Sequence, residues 1–212
     1  MQTMTPLEPG EYFHIYNRGV DRSNIFFEDR NFAYFLRLYA RHVSPVAQTY
    51  AYCLLPNHFH FLVRIRRERP QPDRPGFQNR VGLADESTPE KLDRRAVSQA
   101  FNHWLAAYAK AINKGYERSG GLFQRHFGRI AVDSERYFAA LVHYIHYNPQ
   151  RHGLVPDFRD WRHSSYATLL SDRPTRLERA TVLEWFGGRE GFRRFHLGGL
   201  EEATIAGLVG ED

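Results

Sequence analysis

Apolar and other positions alternate in the stretch LLPNHFHFLVRI, residues 54–65. Side chains on a strand point to opposite faces with period two. Phe59, Phe61, Val63 and Ile65 therefore share one face, while His58, His60, Leu62 and Arg64 share the other. The first set is uniformly large and apolar and is predicted to pack against helices. Pro56-Asn57 suits a turn, so QTYAYCLL, residues 48–55, and the segment from His58 to Ile65 read as a hairpin. EYFHIYNR, residues 11–18, is aromatic and β-branched, ends at Gly19 and reads as an earlier strand. Phe32, Phe35, Leu36 and Tyr39 recur at helical spacing within residues 29–43, with Asp29 as the predicted cap.

Residues 66–95 are dense in proline and charge and read as a long, mobile insertion, with a short helix near its end. A helix is predicted over 96–114, with Phe101, Leu105, Tyr108 and Ile112 along one face. A strand over 125–132 follows, then a helix over 135–148, capped by Asp133-Ser134 and stopped by Pro149. A short helix at 164–170, a last helix at 177–186 and a glycine-rich tail complete the chain. The order β-α-β-β-α-β-α predicts an α+β fold: a ferredoxin-like, RRM-like antiparallel sheet with two helices packed on one face. The other face is left for a ligand or for further helices.

Composition adds a direction. The chain has 212 residues, 42% hydrophobic, enough for one sizeable core. Lys and Arg number 29 against 24 Asp and Glu, a formal charge of +5, and aromatic residues make up 15%. Basic and aromatic together is the mixture that meets phosphates and unstacked bases, although many surfaces are basic for solubility alone. The single cysteine, Cys53, excludes an intramolecular disulfide and fits a small buried strand residue in a reducing compartment. With no basic apolar leader and no apolar run long enough to span a bilayer, a soluble cytoplasmic protein is the default expectation.

The candidate chemistry sits on two elements. Imidazoles of His58 and His60, one pleat apart, can converge on one divalent ion. A bare His-x-His is more often just polar residues on a solvated face, and two imidazoles leave a metal short of ligands, so a third donor is required elsewhere. In the helix before Pro149, Phe138, Leu141, Val142 and Ile145 define the buried stripe. Tyr144 and Asn148, four residues apart, project together from its flank. Asn148 offers a neutral oxygen to a hard cation, and Tyr144 an oxygen nucleophile that needs activation, since a free phenol has a pKa near 10. Taken alone, the pair reads better as a core-edge tyrosine and a helix cap before proline; the paired histidines are what favour the chemical reading.

At these residues the sequence resembles the Y1 transposases, the HUH single-strand nucleases of the IS200 type, and most of all their REP-associated branch. The matching elements are YFHIYNRG (12–19), AYCLLPNHFHFLV (51–63), RSGGLFQRHF (118–127), HYIHYNPQRHGLV (143–155) and WRHSSYATLL (161–170), in family order over most of the chain. The resemblance implies a catalytic domain over residues 1–170, carrying the insertion, with the tyrosine helix on the other side of the sheet and a helical extension over 171–212. It implies that His58, His60 and Asn148 bind a divalent metal, Mg2+ or Mn2+, and that Tyr144 is the nucleophile, with Tyr147 the lesser candidate and Tyr137 a further one. The implied activity is cleavage and rejoining of single-stranded DNA through a 5′-phosphotyrosine link, on hairpin-containing repeat or element ends. Arg18, Arg64, Arg125 and Arg129 are candidate phosphate contacts, though ordinary surface charge accounts for any one of them equally well. Two readings from other classes compete: a non-catalytic single-strand-binding module with an RRM-like sheet, and a metal hydrolase that uses water. A homodimer that shares sites between subunits and a monomer that acts in cis are both open.

Overall fold

The structure is a computed structural model that describes residues 5–70 and 91–198. Its elements are β1 (Tyr12–Arg18), α1 (Asp29–His42), β2 (Ala47–Leu55), β3 (His58–Ile65), α2 (Arg94–Gly115), β4 (Gly128–Val132), α3 (Glu135–Arg151), α4 (Tyr166–Leu170), α5 (Arg179–Trp185) and α6 (Gly188–Leu197). The strands pair in the order β2-β3-β1-β4, every neighbour antiparallel. This is the expected ferredoxin-like sheet, built from the interleaved units β1-α1-β2 and β3-α2-β4.

The alternation in β3 divides the interior into two layers. Phe59, Phe61, Val63 and Ile65 join Phe13 and Ile15 of β1 in a core shared with α1 and α2. Phe35, Trp104 and Tyr108 are its central side chains, and their polar atoms find partners: Trp104 Nε1 donates to the Phe35 carbonyl at 3.2 Å and the Tyr108 hydroxyl to the Ile25 carbonyl at 2.7 Å. On the other face, Leu62, Ala51, Cys53 and Leu55 meet Phe138, Leu141, Val142 and Ile145 of α3. That face is not open: α3 and the C-terminal helices cover it, and Val182 and Phe192 from α5 and α6 are fully buried in the same cluster. Tyr12 and Tyr50 pack edge-on against Phe138 of α3.

Local chemistry explains where the elements begin and stop. α1 is capped by Glu28 rather than Asp29: Glu28 accepts from the Asn31 backbone, and Asn31 Oδ1 accepts from the Glu28 N–H at 3.0 Å. Asp29, now the first helical residue, pairs with Arg162. α3 is capped as expected by Ser134, which accepts from the Tyr137 N–H. It is not stopped by Pro149. The helix runs on to Arg151 and closes through His152 N–H to Asn148 O at 3.0 Å and Leu154 N–H to Pro149 O at 2.9 Å, with Gly153 left-handed at φ +67°. Burial of Asn148 and Pro149 holds them helical against the usual bias before proline.

The first part of the glycine-rich segment expected as a tail is instead the turn into α6 and that helix itself, while residues 199–212 lie outside the described residues. Gly187 and Gly188 take φ of +71° and +91°, and a Cβ on Gly191 would lie 1.8 Å from the Phe186 carbonyl oxygen. The exposed edge of β2 is also closed. Ser165 N–H donates to Tyr52 O, Leu54 N–H to His163 O and Glu178 N–H to Thr49 O, so a returning loop satisfies the edge that would otherwise invite strand addition. Residues 71–90 of the insertion lie outside the described residues; its ends are tied by a Glu68–Lys91 bridge. Among the described residues, no helix is long and apolar enough to cross a membrane.

Candidate active site

The site grows from the register between β1 and β3. Arg18 stands opposite His58, Tyr16 opposite His60 and His14 opposite Leu62, all on the α3 face. His58 and His60 are buried with ring centroids 5.1 Å apart at an interplanar angle of 89°. Their Nδ1 atoms are both engaged: Asn57 Oδ1 lies 2.7 Å from that of His58, and His14 Nε2 lies 2.9 Å from that of His60. Asn57 Oδ1 only accepts, so His58 carries its proton on Nδ1 and its Nε2 is left with a lone pair, whereas the His14–His60 contact admits either tautomer.

α3 brings its side chains to the same place at four-residue intervals. The Tyr144 ring packs edge-on against His60 at 5.3 Å, and His152 against His58 at 5.0 Å. Asn148 lies one helical turn from each, between them. The phenol and the imidazole pair of a single chain are thus neighbours. Tyr144 is 1% exposed, and the Arg151 guanidinium stands 5.7 Å from its ring centre.

The residues fit a divalent cation. His60 Nε2 and both amide atoms of Asn148 are buried with no hydrogen-bond partner, a costly state for polar atoms unless something else satisfies them. Burial, reinforced by His14 and His58, pushes the His60 imidazole well below its ordinary pKa, so it is neutral at physiological pH, as a ligand must be. Among the described residues no three His, Cys, Asp or Glu side chains cluster to hold a metal. A third donor of another residue type is available in Asn148, whose amide atoms are buried without a partner.

The histidine side of the site opens through two adjoining cavities, while Tyr144 and Asn148 lie buried behind it and line neither. One, of about 250 Å³, is lined by Tyr16, Asn17, Arg18, His58, His60 and Gln124, among others; the other, of about 360 Å³, shares Arg18 and His58 and adds Arg22, Asn57 and His152. Tyr16 lies flat over the backbone of Gly128, where a Cβ would come within 2.2 Å of its ring, so only glycine leaves the ring this position.

The four candidate arginines separate. Arg18 lines both cavities. Arg64 shares the histidine face but lies four residues beyond His60 along β3, about 13 Å away, its guanidinium over Tyr12 and its Nε donating to Gly10 O at 2.9 Å. Arg125 is exposed in the loop before β4, between the cavity residues Gln124 and His126. Arg129 is on the opposite face, its guanidinium 4.2 Å from the Phe127 ring centre and bonded to Ser98 of α2, so it does not reach the histidines. Of the other tyrosines, Tyr147 stacks on His143 and Tyr137 is buried at the start of α3; burial pushes the Tyr137 phenol up to about 12.

His14, Asn57, Tyr16 and His152 were not legible as site residues. His14 and Tyr16 are brought in by cross-strand register, and His152 by the helix continuing through proline. HFH flanked by Asn was a signal available for Asn57, though the Pro-Asn pair reads first as a turn.

The paired histidines of β3 and the tyrosine of α3 thus lie on a sheet face that helices cover rather than on a free binding face. The chain resembles the REP-associated tyrosine transposases in both sequence and fold. It is 28% identical over 126 residues to a Haemophilus influenzae protein provisionally named REP-associated tyrosine transposase, a match that covers 56% of this chain and 58% of that protein. The chain thus spans less than two thirds of that relative's length. In structure it matches a REP-associated tyrosine transposase bound to a REP hairpin with a TM-score of 0.56, at 14% identity, over 82% of this chain and 88% of that one, which shows the shared fold. No family model matches the chain.

Proposed function

We propose that the protein is a metal-dependent endonuclease and strand transferase for single-stranded DNA, acting on hairpin-bearing ends. The supporting observation is the 5.3 Å contact between the Tyr144 and His60 rings within one chain. His58 and His60, through Nε2, and Asn148, through its amide oxygen, would hold Mg2+ or Mn2+. Such a cation, when bound, draws charge from the non-bridging oxygens of a phosphodiester.

Tyr144 Oη attacks phosphorus, forming the Tyr–O–P bond; the P–O3′ bond breaks, and the departing oxygen takes up a proton as the phenol loses one. The 5′ phosphate stays on the protein. A different 3′-hydroxyl then attacks the phosphotyrosine, restoring the phenol and joining new ends, with no nucleotide cofactor. Arg18, at the junction of the two cavities, is placed to hold a backbone phosphate, and Tyr16 offers a flat ring beside the histidines on which a base can stack. A duplex cannot present its backbone this deep, so the substrate strand must be unpaired at the scissile step. The RRM-like binding reading needs an open aromatic face, and α3 occupies that face.

The test is incubation with an end-labelled single-stranded hairpin oligonucleotide and Mn2+, resolved on a denaturing gel. A protein–DNA adduct that retains the 3′-labelled fragment is expected. Free ends with no adduct would mean water attacks, and an uncut strand would mean binding only. Because phenol and imidazoles meet within one chain, an equal mixture of His60→Ala and Tyr144→Phe proteins is expected to form no adduct. Restored adduct in the mixture would mean that subunits exchange tyrosines in a homodimer.

A further inference from the structure

We infer that His14 is a positioning residue, whose ring nitrogen accepts the Nδ1 proton of His60 and thereby fixes the tautomer that aims His60 Nε2 at the cation. The inference rests on the reading of His60 as a metal ligand, and it goes beyond that reading by assigning a role to a strand residue that touches neither metal nor substrate.

The geometry is specific. His14 sits on β1, two residues before Tyr16, which faces His60 directly across the strand pair. The diagonal placement brings His14 Nε2 to 2.9 Å from His60 Nδ1, with the two rings inclined by only 20° and their centroids 5.1 Å apart. His14 and His60 are 0% and 1% exposed, so water does not substitute for either partner. Tyr16 stacks on His14 at 4.8 Å and fixes its ring from one side.

The two buried imidazoles in this contact share one proton, and it can belong to either. If His14 Nε2 carries it, His60 is left protonated at Nε2 and has no lone pair where a cation would bind. If His60 Nδ1 carries it and donates, His60 Nε2 presents a lone pair in the plane of its ring. Only the second arrangement makes a ligand. Metal-binding histidines are held in the same way by carboxylates or backbone carbonyls, and loss of that partner lowers metal affinity 10- to 100-fold.

An imidazole in this role carries no negative charge, and that matters for the chemistry. Two histidines and an amide are neutral donors, and a neutral partner behind them adds no countercharge. The whole charge of a divalent cation then remains to act on an anionic phosphodiester.

The test compares Mn2+ binding to the full-length wild-type protein, His14→Gln and His14→Leu by isothermal titration and by loss of the free-Mn2+ electron paramagnetic resonance signal. Gln can place an amide oxygen where Nε2 stands; Leu cannot. His14→Leu is expected to bind Mn2+ 10- to 100-fold more weakly, and His14→Gln within a few-fold of wild type. Wild-type affinity in a folded His14→Leu protein, or equal loss in both variants, would overturn the assignment. Wild-type protein that takes up no Mn2+ would instead overturn the metal reading. A measurement that needs no variant completes the set. Histidine 15N chemical shifts of the metal-free wild type are expected to show His60 protonated at Nδ1; protonation at Nε2 would overturn the inference even if His14→Leu failed to fold.

Discussion

Tyr144→Phe is expected to abolish the protein–DNA adduct while leaving the fold intact. Phenylalanine keeps the ring that packs against His60 and beneath Arg151 and removes only the hydroxyl. No other group on α3 stands in the same relation to the histidines, because Tyr147 turns toward His143 and Tyr137 lies two turns away toward the start of the helix. Loss of a covalent nucleophile lowers turnover by on the order of 10⁴-fold or more, since the remaining interactions can hold the transition state but supply nothing to attack phosphorus. Thermal unfolding should move little. Tyr147→Phe is the matched control and is expected to form adduct at the wild-type rate. Adduct from Tyr144→Phe on a denaturing gel would show that the nucleophile lies elsewhere.

The second large effect is on stability in mild acid. His146 of α3 and His196 of α6 are buried and joined by a contact of 2.9 Å; His146 Nε2 meets the Ser165 hydroxyl at 2.7 Å, and His196 Nδ1 donates to the Phe192 carbonyl at 2.8 Å. His143 packs beside them, with its ring 5.6 Å from that of His196. Burial lowers all three; for His196 it does so to about 3, and for His146 well below the ordinary value. A histidine whose folded pKa is depressed binds its proton more tightly when unfolded. Its contribution is therefore fully present above about pH 6.5, the unfolded value, and is lost as pH falls toward the folded value.

At pH 5.0, His196 alone is expected to remove about 2 kcal/mol relative to pH 7.5, a large fraction of a typical domain stability of about 5–15 kcal/mol. His146 and His143 act in the same direction. The carboxylates whose pKa values are lowered, Asp29, Asp157 and Asp172, are paired with arginines and titrate below this window, so they do not mask it. Urea unfolding of metal-free protein at the two pH values is the check, and it should show a fall in stability as pH drops. Equal stability at pH 7.5 and 5.0 would contradict the buried histidine relay between α3 and α6.

How far the chain could be read from its residues follows from which interactions are local. β3 was legible to its last residue because its alternation reports two different environments on its two faces. The spacing of Tyr144 and Asn148 was equally direct, since four residues bring two side chains together on any helix. The continuation of α3 past Pro149 was not, because the burial that holds Asn148 helical comes from elements distant in sequence. α6 was hidden for a related reason. Gly187 and Gly188 make the tight turn into α6 and Gly191 lets its first turn approach Phe186, and glycine-rich composition alone does not distinguish such a start from a tail. That helices cover the histidine face was among the expectations, but which residues of α5 and α6 help to close it was not legible, because they lie more than 100 positions downstream. His14 shows the same limit within the site, since only the β1–β3 register places it behind His60.

Peptide mass spectrometry of the trapped adduct tests the central assignment most directly. Trypsin releases residues 137–151 as one peptide that holds Tyr137, Tyr144 and Tyr147 together, so fragmentation decides among them within a single molecule. After nuclease trimming, the residual nucleotide is expected on Tyr144. A nucleotide on Tyr137 or Tyr147, or on a peptide outside α3, would contradict the placement of the nucleophile beside His58 and His60.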